Sequence, residues 1–109
     1  MIFTISGTQV TAEFKEPESN ANGTPLTDLK QTTLYYQLQG GPVVTAAVIP
    51  ASSPAGGQQV VRDLLIPVLE GQESRVEFWA TATDDDGNES GKTEIVVKII
   101  DRLAPMPPS

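Results

Sequence analysis

The stretch Arg75–Thr83, "RVEFWATAT", decides the fold. Val76, Phe78, Ala80 and Ala82 alternate with Arg75, Glu77, Trp79, Thr81 and Thr83. A period of two with β-branched and aromatic residues predicts a strand with one buried face. The same alternation recurs outward from this stretch. Val10, Ala12 and Phe14 alternate within Thr8–Lys15. Leu34, Tyr36 and Leu38 share one face of Gln31–Gln39. In Lys92–Ile100, Ile95, Val97 and Ile99 form the more apolar set and are expected to point inward. Shorter apolar pieces at Ile2–Ile5, Val43–Ile49 and Val60–Ile66 bring the expected strands to seven.

The connections carry turn chemistry. "PESNANGTP" (17–25), "GGP" (40–42), "PASSPAGG" (50–57) and "DDDGNES" (84–90) hold the residues that favour turns, and the prolines of "PASSPAGG" forbid central-strand pairing. No long window shows a 3.6-residue apolar stripe, so helix is expected to be nearly absent. Short strands at this spacing read as an all-β, seven-stranded antiparallel sandwich over residues 1–101. Residues 102–109, "RLAPMPPS", hold three prolines and read as a stiff, extended linker or tail.

Composition narrows the chemistry. The 109 residues include no histidine and no cysteine, which removes disulfides, thiol chemistry and the commonest general base. Seven basic residues stand singly against 14 acidic ones, and the net charge is −7. No basic stripe exists to meet a phosphate backbone, so no nucleic-acid partner is expected. No apolar run has the length of a membrane span. The opening "MIFTISGTQV" lacks a charged region followed by an apolar one, and no signal peptide is expected.

The acidic stretch "TDDDGNESG" (83–91) raises the question of a metal or catalytic site. With Gly87 at the sixth position of a helix–loop–helix calcium loop, Asp84 and Asp86 fall on ligand positions, but Ala82 and Thr93 occupy the first and last. The motif fails, and a hairpin loop is the simpler reading. Glycoside hydrolysis needs two carboxyls held across a cleft, one with a raised pKa, and one loop tip supplies neither. Neither catalytic residues, nor metal ligands, nor a cofactor site are assigned, and an enzyme is not expected.

Two blocks resemble a known family. "FKEPESNANGTPLTDLKQTTLYYQL" (14–38) is similar to the second strand, "NxDGTPLTDL" loop and tyrosine-rich third strand of bacterial fibronectin type III domains. "FWATATDDDGNESGKTEIVVKI" (78–99) is similar to their sixth strand, "D-x-x-G-N-x-S" loop and seventh strand, and "LAPMPP" (103–108) resembles their inter-module linkers. Phe14, Val76 and Thr32 stand where the family usually places a tryptophan, a corner tyrosine and an aromatic, marking a divergent member. The resemblance implies an immunoglobulin-like sandwich with strands one, two and five facing three, four, six and seven. It also implies a non-catalytic spacer or protein-interaction module of a bacterial or phage protein, extracellular, on a cell surface or on a virion. As an isolated domain it is expected to be monomeric.

The expected core centres on Phe14, Leu34, Tyr36, Phe78, Ile95 and Val97. Strand phase turns Trp79, Tyr35 and Val96 outward, as a candidate contact band for a neighbouring domain or protein partner. The alternative is a carbohydrate-binding accessory module in which Trp79 and Tyr35 stack on a sugar ring. Against both stands simple cover of Trp79 by long side chains such as Arg75 or Lys98.

Overall fold

A computed structural model describes residues 1–108. Seven strands occur in chain order: β1 (Ile2–Ser6), β2 (Gln9–Lys15), β3 (Leu29–Leu38), β4 (Val43–Pro50), β5 (Gln59–Leu65), β6 (Glu73–Asp84) and β7 (Val96–Asp101). No helix occurs among the described residues. The strands form two antiparallel sheets, ordered β1-β2-β5 and β4-β3-β6-β7. The division matches the expected one.

The core lies between the sheets. Val10, Ala12, Phe14 and Leu64 from the smaller sheet pack with Leu34, Tyr36, Val76 and Phe78 from the larger. Phe3 of β1 stacks on Phe78 of β6 with ring centroids 4.7 Å apart, so the innermost contact joins the two layers. The period-two readings of β2, β3 and β6 hold because each of these strands has neighbours on both sides and one face on the core.

Strand β7 overturns part of the expected core. Ile95 and Val97 are exposed rather than buried, and Ile99 with them, while Ile100 is fully buried and Val96 packs against the core. The cause is register. Val96 sits opposite Phe78, Lys98 opposite Val76 and Ile100 opposite Ser74, so the even-numbered residues inherit the inward phase of β6. Just before β7, Thr93 bonds Ala80, so three steps along this segment (93 to 96) match two along β6 (80 to 78). That extra residue is a bulge, and it reverses the face of everything around it. As an edge strand, β7 tolerates Lys98 on the inner side, because the ammonium can reach past the rim of the sheet.

Chain direction sets the poles of the molecule. Met1 lies near Asp84 and Asn88 around one cavity, at the pole where β6 ends. From Val96 to Asp101, β7 runs to the opposite pole, where Arg102 donates its N–H to Gln72 O and its Nη1 to Val68 O. Beyond Arg102 the tail has no regular structure, and Leu103 and Met106 are exposed. The whole measures 64 × 25 × 19 Å.

Candidate functional site: the aromatic face and the acidic tip

Tyr35 and Trp79 are direct register partners on the outer face of the larger sheet. Their rings stack at 5.9 Å between centroids, 20° from parallel. The segment between β6 and β7 folds back over them. Lys92 places its Nζ 4.6 Å from the centre of the Trp79 ring, a cation–π contact. Glu89 Oε2 accepts hydrogen bonds from the Tyr35 hydroxyl (2.8 Å) and from Thr81 Oγ1 (2.5 Å). Those two bonds, Thr81 first, hold the Glu89 carboxyl below its usual range against the opposing effect of burial. The same bond to Glu89, followed by burial, raises the Tyr35 phenol.

This cover changes the expected contact band. Trp79 faces outward yet is only 3% exposed, and Tyr35 is half-buried. The covering groups are Tyr35 and Lys92 rather than Arg75, which pairs with Glu77 at 3.0 Å. Val96 does not join them, since the register of β7 turns it inward. Val97 faces Glu77 and Ile99 faces Arg75, so these two residues and Ile95 supply the aliphatic part of the outer face. No local signal in the sequence announces the bulge that exchanges them.

The covering segment is fastened to β6 by hydroxyls. Ala80 N–H donates to Thr93 Oγ1 and Ala82 N–H to Ser90 Oγ, while Thr93 and Ser90 return their own N–H to the carbonyls of Ala80 and Ala82. Side-chain oxygens thus replace the strand carbonyls that would otherwise complete the ladder.

At the tip, Asp84 organises the turn. Its Oδ1 accepts from the N–H of Asp86 (3.0 Å) and of Asn88 (2.9 Å), and its Oδ2 accepts from Asn88 Nδ2 (3.0 Å). Gly87 adopts φ 85°, which glycine accepts without cost and the turn requires. The Asn88 side chain, ahead of the backbone donors, holds the Asp84 carboxyl below its usual range.

Sequence reasoning missed Asp28. The connection between β2 and β3 brings it to the tip, where its backbone carbonyl accepts from Asp85 N–H. One carboxylate oxygen each from Asp28, Asp84 and Asp86 lies within 4.8 Å of the others. Hard cations such as calcium take six to eight oxygens, and both oxygens of Asp84 already serve the turn. Partial burial, then the charges of Asp84, Asp86 and Asp85, raise the Asp28 pKa. Its ionised form therefore opposes folding, and a neutral residue there should relieve the strain. Asp28→Asn is expected to raise Tm at neutral pH, with an advantage that shrinks as pH falls through the raised pKa and the native carboxyl protonates. Thermal scans of both proteins across that range check this, and an advantage that grows toward acid would contradict it.

Beside the tip lies a cavity of about 550 Å³. Phe14, Leu26, Leu29, Ala80 and Ala82 supply its apolar lining, and Thr83, Asp84, Asn88 and Ser90 its polar lining. It has the size of a small-ligand pocket, and Lys15, Asp84 and Glu89 are the charged residues that line it. Compared with protein-family models, with curated proteins and with solved structures, the chain matches none.

Proposed function

We propose that this chain is a non-catalytic spacer or protein-interaction module, of the fibronectin type III kind, within a larger extracellular or virion-surface protein. The observation that carries the reading is the placement of its ends. Met1 and the Arg102–Pro108 tail lie at opposite poles of the sandwich, and the chain with its tail extends 64 Å, so any flanking domains would be held apart along that axis. The three-plus-four grouping of strands and the proline-rich tail support the family likeness.

The test is replacement in the parent reading frame. Exchanging residues 1–101 for an unrelated β-sandwich of equal length should preserve assembly if the module is a spacer. Loss of one specific partner with neighbouring domains intact marks an interaction module. Substrate turnover by the isolated chain would refute both.

The sugar-platform alternative depends on an accessible indole, and here Tyr35 and Lys92 lie against the Trp79 ring. Trp79 is the only tryptophan, so its fluorescence reports on that site alone. Polysaccharides are expected to leave its emission unchanged, and a saturable shift in a titration would revive the alternative.

A further inference from the structure

Strand β7 offers three features without partners. Val97 and Ile99 stand on its outer face, 42% and 51% exposed, and Ile95 just before the strand is 44% exposed. As the last strand of its sheet, β7 has an open edge. Arg102 bonds toward β6 through its N–H, and backbone direction alternates along a strand. The even-numbered residues of β7 therefore address β6, and Val97 and Ile99 direct their N–H and C=O groups at the open side. The third feature is Lys98, on the inner side at the rim. It has no carboxylate partner among the described residues, where the ion pairs are Lys15–Glu18 and Arg75–Glu77.

A lone ammonium turned inward on an edge discourages indiscriminate strand pairing. It becomes an attraction when an incoming strand brings a carboxylate to the same place. This chain carries one at the right spacing: Glu94 precedes Lys98 by four residues and is exposed. We infer that two copies of the chain pair antiparallel through β7, about a two-fold axis at Val96. In this register Lys98 faces Glu94 twice and Val97 faces Ile95 twice. The pairs flanking the axis thus set charge against opposite charge and aliphatic against aliphatic, while Ile99 falls opposite Thr93.

Neighbouring registers do worse. An axis at Val97 sets Glu94 against Ile100 and Lys98 against Val96. An axis at Lys98 sets two ammonium groups face to face. The Val96 register requires Glu94 and Ile95, which precede β7, to join the strand on pairing, and the two four-stranded sheets then merge into one. The contact is short and each copy carries a net charge of −7, so the pair forms at high concentration and moderate salt. The inference does not rest on the parent protein, and it replaces the expectation of a monomer.

Sedimentation equilibrium of the full chain tests it, over about 10 μM to 1 mM protein in about 0.15 M salt. The mass should climb from 11.6 kDa toward twice that value. Lys98→Glu and Glu94→Lys each set like charges opposite one another in both pairs, and should each weaken association by about tenfold or more. The double swap should restore it. Glu94→Lys is the sharper variant, since it makes the chain less acidic and would strengthen any association limited by overall repulsion. Circular dichroism confirms that the variants fold. A mass fixed at 11.6 kDa throughout overturns the inference, as does a double swap that fails to recover pairing.

Discussion

Gly56→Ala should lower stability by about 3 kcal/mol, or about 12–20 °C in Tm for a domain of this size. Gly56 sits at φ 65°, where a side chain costs about 1–2 kcal/mol from local crowding alone. The larger problem is space. A Cβ at this position would lie 2.1 Å from the carbonyl oxygen of Pro17 and 3.1 Å from Leu29 Cδ2. A side chain could rotate away, but a backbone carbonyl cannot move without displacing the chain that carries it. The 50–58 loop would have to lift from the start of the 16–28 connection, breaking the bond from Leu29 N–H to Pro54 O (2.9 Å). Gly71 offers the matched control, with φ 83° and no atom within 4 Å of the added carbon. Gly71→Ala should therefore show the conformational cost without the clash. Equal losses from the two variants, measured by urea unfolding, would refute the close-approach argument.

Glu16→Ala should cost a similar amount, about 3 kcal/mol. Glu16 is 2% exposed, an unusual place for a carboxylate. It is tolerated because its oxygens accept from Ser52 Oγ (2.5 Å), Ser52 N–H (3.0 Å) and Gln58 N–H (3.2 Å). Removing the acceptor leaves the Ser52 and Gln58 N–H groups without their protein partner and empties the buried site that the carboxylate fills. Glu16→Gln keeps one oxygen but turns an amide N–H₂ toward a donor, so an intermediate loss is expected.

The same contacts set the acid response. Burial raises the Glu16 pKa, but the bonds from the Ser52 side chain, Ser52 N–H and Gln58 N–H outweigh it, and the net displacement is downward from about 4.5. A depressed folded-state pKa contributes stability above the unfolded value that is lost as pH falls through the folded one. Glu89 and Asp84 shift in the same direction and add to the loss. Asp28, raised, works against it. The gap in Tm between the native chain and Glu16→Ala should narrow as pH falls below about 4.5 and on through the depressed folded-state pKa. A gap that stays constant would mean that the carboxylate charge contributes nothing.

What the sequence discloses follows from how many neighbours an element has. β2, β3 and β6 each lie between two strands and bury one face, so alternation of residue types reports their phase. β7 borders solvent along one edge, and both its faces are partly wet. Its Ile95–Val97–Ile99 set then looks like a core face, while Lys98 lies on the true one. The outward phase of Trp79 was readable from β6, but its cover was not, because Lys92 reaches it from a segment whose path depends on a bulge. Asp28 joins the tip through a tertiary approach that no spacing encodes. Glu16 follows the charged Lys15 and precedes a proline, which makes it look like an ordinary loop carboxylate. Its burial comes from Ser52 and Gln58, distant in the chain.

Because Met1 and the tail sit at opposite poles and on different sheets, tension applied to the two termini would run along β1 and β7 rather than across them. The ladder of β1 against β2 and that of β7 against β6 would be sheared lengthwise, their rungs loaded together instead of peeled one after another. Between these ladders the pull can pass through the Phe3–Phe78 stack, giving an oily interior contact a mechanical duty.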